Sequence, residues 1–497
     1  MTTLAVLPIV LPLVAAALCM LVGRSKAAQR TIALTASIAA TIASFVLLVF
    51  VNRDGTVVVD AGGWGAPIGT VLVADQLAVI MLAVATITLL LVLVYAIGQP
   101  GAERNHVGFQ SAYMVLSAGV ALSFLTGDLF TMFVAFEMML TASYVLITLG
   151  GQHDQVRSGM TYVVISLIAS VLFLSALALL YAATGTVNLA DLSERIPLLD
   201  TGLQTAFALL LLVVFGIKAA VFPLFFWLPD SYPTAPSPVT AIFAGLLTKV
   251  GVYALIRTQV LLFPPESRPT EVILVIAGLT MVIGVLGAVA QNDLKRILSF
   301  HIVSQIGYMV MGLGLFTVAG VAGAVYFIVH QVVVKTALFL TDGLVEHVGG
   351  SSRLRHVGDM LTKAPIVGVL FLLPALSLAG IPPMSGFVGK FALFDAGVGS
   401  AAYWVTGAAV VAAFLTLFSM IKIWNGVFWS PSEAPPEGTP HAPGRFGGPL
   451  LMVIPTAALV VLSIVIGVAA GPLYEITTSA AENILDPAIY RREVLQR

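Results

Sequence analysis

Five ionisable residues stand well inside long apolar runs. Glu137 lies in TMFVAFEMMLTASY, Lys218 in VVFGIKAAVFP, Lys249 in AGLLTKVGVY, Lys335 in FIVHQVVVKTALFLTDG and Lys390 in PPMSGFVGKFALF. At bilayer depth each such group costs about 2.5–3.5 kcal/mol on insertion scales, and groups of this kind mark ion or proton routes. The set is lopsided, four lysines against one deep acid. A hard cation wants several oxygen ligands, so one carboxylate with scattered hydroxyls and carbonyls is a thin Na⁺ site. Desolvation favours the neutral amine, so a row of buried lysines can trade protons. The row therefore reads as a proton wire. Glu137 would hold the charge on Lys218 while the two are paired, and release of the pair would let Lys218 pass its proton on.

Further polar residues extend these positions along helical faces. Thr141 and Tyr144 follow Glu137 at +4 and +7, and Lys249 has Gly245 at −4 and Tyr253 at +4. Gln331, Lys335 and Asp342 share a face, while His330 lies about 140° from Lys335. HIVSQIGY lines up His301, Ser304, Gln305 and Tyr308. Plainer explanations exist for some of them. Lys422 and Arg257 stand near the ends of their runs and are expected to snorkel to the interface. His301 is expected to be a hydrogen-bonded residue at a helix start. Accessory roles in proton movement fall to His330, Gln331, Tyr253, Thr141, His301 and Asp342.

The elements that must carry these residues follow from composition and length. Of 497 residues 59% are apolar and 9% charged, against roughly 25% charged in a soluble domain. A net charge of −1 leaves no basic surface for a nucleic acid. Cys19 is the only cysteine, which excludes disulfides, Cys-ligated zinc and iron–sulfur clusters within the chain. No metal site, cofactor or catalytic residue is expected.

Apolar runs long enough to span number fourteen, near 4–23, 31–51, 74–97, 108–126, 128–149, 159–184, 204–226, 239–263, 271–290, 297–317, 321–345, 365–394, 403–429 and 449–471. The first has no basic flank before it and runs into Arg24, Lys26 and Arg30, so it reads as a span and not a cleavable signal. Loops after the odd-numbered spans hold eleven basic residues, Arg24, Lys26, Arg30, Arg104, Arg157, Lys295, Arg296, Arg353, Arg355, Lys363 and Arg445. The opposite loops hold Arg53, Arg195 and Arg268, so both termini are expected outside. Arg491, Arg492 and Arg497 sit too far along the tail to weigh in. The polar stretches 52–73, 185–203, 346–364, 430–448 and the tail from about 472 read as loops, the Pro-rich 430–448 as an extended connector.

Two spans are broken near the middle. In 204–226 Lys218 precedes Pro223, and in 365–394 Gly380, Pro382, Pro383 and Gly386 precede Lys390. Interrupted helices at corresponding places point to inverted repeats with a path at their interface. The fold expected is an all-α membrane protein of about fourteen helices, with the fourth to eighth and ninth to thirteenth spans as two inverted five-helix repeats. The domains are then 1–107, the first three spans; 108–263, the first repeat; 271–429, the second repeat; and 430–497, connector, last span and tail.

The run WLPDSYPTAPSPVTAIFAGLLTKVGVYALIR, with GIKAAVFP, HQVVVKTALF and GIPPMSGFVGK, resembles the antiporter-like membrane subunits shared by respiratory complex I and Mrp-type cation/proton antiporters. The resemblance covers about residues 70–430 and is strongest to the D-type Mrp branch. It implies that Glu137 and Lys218 are the working pair of the first half-channel, Lys249 the connecting lysine, Lys335 the central lysine of the second half and Lys390 its terminal group. It also implies a hetero-oligomeric partner set of other Mrp subunits in a prokaryotic plasma membrane, exchanging H⁺ for Na⁺ or another monovalent cation. Relatives often carry a second histidine where this chain has Gln331. Relatives with long C-terminal extensions fit less well, because this chain ends soon after its last span, and one complex I relative typically has Glu in place of Lys390. The alternatives are a proton-pumping subunit of a complex I-type oxidoreductase and a self-contained transporter for an organic solute.

Overall fold

The computed structural model describes residues 2–23, 25–103, 108–151 and 153–495. Arg24, Arg104 and Arg497, weighed above for topology, lie outside the described residues. The helices are α1 (Thr2–Leu21), α2 (Lys26–Asp54), α3 (Gln76–Gly98), α4 (Phe109–Leu125), α5 (Leu129–Thr148), α6 (His153–Thr184), α7 (Leu189–Arg195), α8 (Thr201–Ala219), α9 (Trp227–Ser231), α10 (Ser237–Ile242) and α11 (Thr248–Leu262). There follow α12 (Thr270–Ala290), α13 (Leu294–Gly314), α14 (Val318–Gly349), α15 (Met360–Lys363), α16 (Pro365–Ala379), α17 (Ser385–Gly399), α18 (Tyr403–Ile423), α19 (Leu450–Val468), α20 (Ala470–Leu485) and α21 (Pro487–Leu495). A π-helical turn, Phe243–Leu247, joins α10 to α11, and another, Trp424–Trp429, extends α18. Among the described residues twelve helices are long and apolar enough to cross a membrane, counting Ser237–Leu262 and Tyr403–Trp429 as one each; Phe109–Leu125 and Pro365–Ala379 are apolar but shorter.

The helix starts are set by short polar side chains. Ser25, Asp75, Asp128, Asp293 and Thr317 each stand just before a helix and accept a backbone N–H from its first turn. Inside the spans Thr88, Thr258, Thr336 and Thr416 donate to the carbonyl four residues back, so their hydroxyls cost little in an apolar setting. The centre of the molecule is α14, which packs on α3, α13, α16, α17, α19 and α20. Its spanning window is 89% buried, against 39% for α6, a helix of the same length. The helix carrying Lys335 is therefore enclosed on all sides.

Several sequence expectations need correction. The all-α expectation misses a two-stranded antiparallel hairpin over 57–74, β1 (Val57–Asp60) paired with β2 (Val71–Ala74). Gly127 N donates to Val71 O at 2.8 Å, tying the hairpin to the α4–α5 turn. The tail is no loop, since it folds as α20 and α21, and 185–203 and 346–364 contain the short helices α7 and α15. The connector 430–448 does lack helix and strand beyond the end of α18, and Gly438 N to Gly350 O (2.8 Å), His441 N to His347 O (3.0 Å) and the Arg353–Glu437 pair (2.6 Å) pin it down.

Arg257 does not snorkel. It is 2% exposed and grips Asp75 with both terminal nitrogens, one at 2.8 Å from Oδ1, while Tyr253 OH accepts from the same guanidinium and donates to Phe124 O. Tyr490 of α21 lies 5.5 Å from the guanidinium, so the tail covers this pair. Lys422 is half-exposed and reaches the carbonyls of Val289 and Gln291 at the end of α12, at 3.0 and 2.7 Å.

Removing one partner of a buried ion pair strands the other and costs about 3–5 kcal/mol. Arg257→Met should therefore lower the thermal midpoint of the purified protein, and adding Asp75→Asn, which keeps an N-cap for α3, should recover part of the loss. Melting of the single variant at the parental temperature would show that the pair has no structural weight.

Candidate functional site

Lys218 occupies the last turn of α8, and the helix ends there because Ala220 adopts a left-handed conformation at φ 59°. Residues 220–226 run without helix, and the freed Ile217 carbonyl accepts from Trp227 Nε1 at 3.2 Å. A cation in the final helical turn also meets the negative end of the helix dipole. Lys218 Nζ donates to Ser166 O at 3.2 Å and to Ser170 Oγ at 3.3 Å. Ser170 Oγ in turn donates to Glu137 Oε1. Glu137 and Lys218 are thus joined through a hydroxyl, without direct contact. Beside them lies a space of about 30 Å³, lined by Phe136, Tyr162, Ser166, Lys218, Trp227 and Tyr232, enough for a water.

Lys249 follows the π turn. Such a turn shifts carbonyls out of the i to i+4 register, and Lys249 Nζ donates to the Ala244 carbonyl inside it. Two glycines wedge this segment between its neighbours. A Cβ on Gly245 would stand 2.3 Å from Thr336 Oγ1 of α14, and one on Gly251 would stand 2.7 Å from Ala219 N of α8. Lys249 is therefore held between the helices of Lys218 and Lys335.

Lys335 Nζ donates to Leu298 O at 3.3 Å and lies in the electrostatic field of Lys249 and Lys390. Gln331 Nε2 donates to Gln305 Oε1 at 3.3 Å. At the second break α16 ends at the left-handed Gly380, and Lys390 Nζ donates to the freed carbonyls of Leu378 and Ala379 at 2.9 and 3.0 Å. Its ammonium sits 5.2 Å from the Tyr308 ring. His330 Nδ1 pairs with Ser385 Oγ at 2.8 Å, which reaches Ser377 Oγ at 3.0 Å. His301 is fully buried and bonds Ser419 Oγ; it stands two turns inside α13, not at a helix start.

The buried atoms His301 Nδ1, His330 Nε2, Gln305 Nε2 and Gln331 Oε1 have no partner among the described residues. Buried polar atoms without partners are where internal water binds. His301 and His330 lie near Lys335 and Lys390, and Glu137 is joined to Lys218 through Ser170. Thr141 is exposed at the surface of α5 and has no part in these contacts. Tyr253 belongs to the Asp75–Arg257 cluster. Asp342 is fully buried, so Glu137 is not the only enclosed acid, and it lies toward Lys295 and Glu346. Ser170, Ser377 and Ser385 escape a sequence reading. The one signal for Ser170 is its i−4 partner Ser166 in an otherwise apolar run.

The family described as NADH:quinone oxidoreductase/Mrp antiporter, TM, matches residues 126–416. The chain belongs to this family. All five deep charges fall within the matched segment. The chain is 43% identical to the D-type subunit of the Na(+)/H(+) antiporter of Alkalihalophilus pseudofirmus and 36% identical to its counterpart from Bacillus subtilis, each over 100% of both chains. A chain in the structure of an Mrp complex from a Dietzia species superposes with a TM-score of 0.91 at 32% identity, over 100% of both chains.

In this member of the antiporter family the Ser170 bridge sets a test. Ser170→Ala removes the link between Glu137 and Lys218 without altering either charge. Ion-driven proton flux in vesicles should fall about tenfold, and Ser170→Thr should retain most of it. Unchanged flux in the alanine variant would mean that the pair works without its bridge.

Proposed function

We propose that the chain is the proton-carrying subunit of a multi-subunit Mrp-type antiporter, exchanging H⁺ for Na⁺ or another monovalent cation in a prokaryotic plasma membrane. The observation that carries this reading is the row itself. Glu137, Ser170 and Lys218 form one hydrogen-bonded chain, the Lys249 segment packs on the helices of Lys218 and Lys335, and each lysine donates to one or two oxygens, which supports reading them with Lys390 as one path. Full-length likeness to antiporter subunits favours exchange over the complex I alternative.

The proposed architecture is fourteen spans, with α16 and α17 forming one broken span and α4 a short one. Repeats at 108–263 and 271–429 find support in matched features. Residue Asp128 bridges Asn188 and Asp293 bridges Arg353, so in each half the first loop pairs with the third. Asp128 and Asp293 both cap the second helix of their half, and the third helices, α6 and α14, are 32 residues each. Both halves then break their fourth helix and carry a π turn in the fifth. The remaining segments, 1–107 and 430–497, flank the repeats. Both termini outside is the orientation that the basic loops favour.

Lys218→Ala and Lys390→Ala should each reduce ion-driven proton flux below about a tenth of the parental rate, with assembly intact, since an apolar span still inserts. Parental exchange in either would sink the row reading for that half. Orientation is tested in a Cys19→Ser background: Lys26→Cys and Arg355→Cys should both react with an impermeant thiol reagent only from the inner side.

A further inference from the structure

Two turns beyond Lys335, α14 carries a group of charges that the lysine row does not use. Asp342 is fully buried, and among the described residues neither of its carboxylate oxygens has a hydrogen-bond partner. A buried carboxylate without donors is costly unless it carries a proton or binds water. One turn further on, Glu346 is partly exposed. Its Oε1 lies 2.7 Å from Lys295 Nζ of α13, and its Oε2 accepts from Ser237 Oγ of α10 at 3.0 Å. Glu346 also lines a cleft of about 290 Å³ between the end of α14 and the connector, with Gln99, His347, Ser351 and His441. Gln99 Oε1 in that cleft is a further buried atom without a partner among the described residues.

The groups that face Asp342 come from several elements. Glu346 shares its helix, α13 supplies Lys295 with its capping Asp293, and α3 supplies Tyr95. Tyr95 donates its hydroxyl to Leu340 O at 2.8 Å, which leaves the oxygen's lone pairs free. Gly343 allows this convergence, because a Cβ there would stand 2.4 Å from the Tyr95 hydroxyl and 2.9 Å from Ser237 Oγ. Lys335, Asp342 and Glu346 are spaced i, i+7 and i+11, so they fall on one side of α14. The rise from Lys335 to Asp342 is about 10 Å, the length of a chain of two or three waters.

We propose that Glu346 and Asp342 form an entry ladder that delivers protons from this cleft to Lys335, with Lys295 positioning Glu346; the proposal rests on the proton-carrying reading of the row. Each step moves one proton. The Glu346 carboxylate takes it from water in the cleft, and the Asp342 carboxylate receives it through water. The Asp342 acid then gives it, through intervening water, to the neutral Lys335 amine, breaking an O–H bond, forming an N–H bond and restoring the carboxylate.

The test uses the assembled complex in everted vesicles, with Na⁺-driven proton flux read by a pH-sensitive dye. Asp342→Asn should lower flux about tenfold or more while assembly and thermal midpoint hold, because an unpartnered carboxylate makes no bond to lose. Asp342→Glu should restore most of the flux, and Glu346→Gln should shift the pH profile of the rate. Parental flux in Asp342→Asn would overturn the ladder. So would an unchanged maximal rate with a raised half-saturating Na⁺, which would make the carboxylate a cation ligand, or loss of assembly in both Asp342 variants, which would make it structural. Lys335→Ala separates the two levels: if it exchanges normally the row itself fails, and if it is inactive while Asp342→Asn is normal only the ladder fails.

Discussion

An ammonium group enclosed by hydrocarbon needs an acceptor, and most backbone acceptors in a helical membrane protein are already used. The way this chain meets that constraint shapes the rest of it. Lys390 draws on carbonyls freed where α16 ends, Lys249 on a carbonyl inside a π turn and Lys218 on the Ser166 carbonyl and the Ser170 hydroxyl. Lys422 uses the end of α12 in the same way. At Lys390 and Lys249 a helix defect supplies the oxygen that the ammonium needs, whereas Lys218 and Lys335 draw on oxygens of regular helices.

A carbonyl or hydroxyl stabilises the ammonium form by hydrogen bonding, but gives less than a carboxylate in direct contact would. Ser170 stands between Glu137 and Lys218 in the same way, so the lysine meets a hydroxyl and not the carboxylate itself. In the second half the unpartnered atoms of His301, His330, Gln305 and Gln331 place polar, water-binding positions among Lys335 and Lys390. Charged groups that must not move are treated differently. Asp75 and Arg257 meet directly through two nitrogens, under the cover of Tyr490.

Close helix approach turns these separate sites into a row. Gly245 and Gly251 let the Lys249 segment lie against α14 and α8 at once, and any side chain at either would push the three lysine-bearing helices apart. The enclosure of α14 then keeps lipid from Lys335, so that only polar side chains and whatever water they hold can serve it.

The amino-acid sequence by itself determined the spans, their breaks and the identity of the deep charges. Length and apolarity decide what crosses a bilayer, Gly and Pro decide where a helix stops, and a lysine in an apolar run is conspicuous. Facing was another matter. A helix that is apolar all round has no polar stripe to read, so spacing alone put Thr141 beside Glu137 and Tyr253 beside Lys249, whereas packing turned the first outward and gave the second to Arg257. The burial of Arg257 depended on Asp75, 182 residues away in the chain, and a short polar tail gave no sign that α20 and α21 would find a surface to cover. Partners across helices, the Ser170 bridge and the enclosure of Asp342 with Glu346 and Lys295 were decided by tertiary structure, because each depends on which faces of distant helices meet.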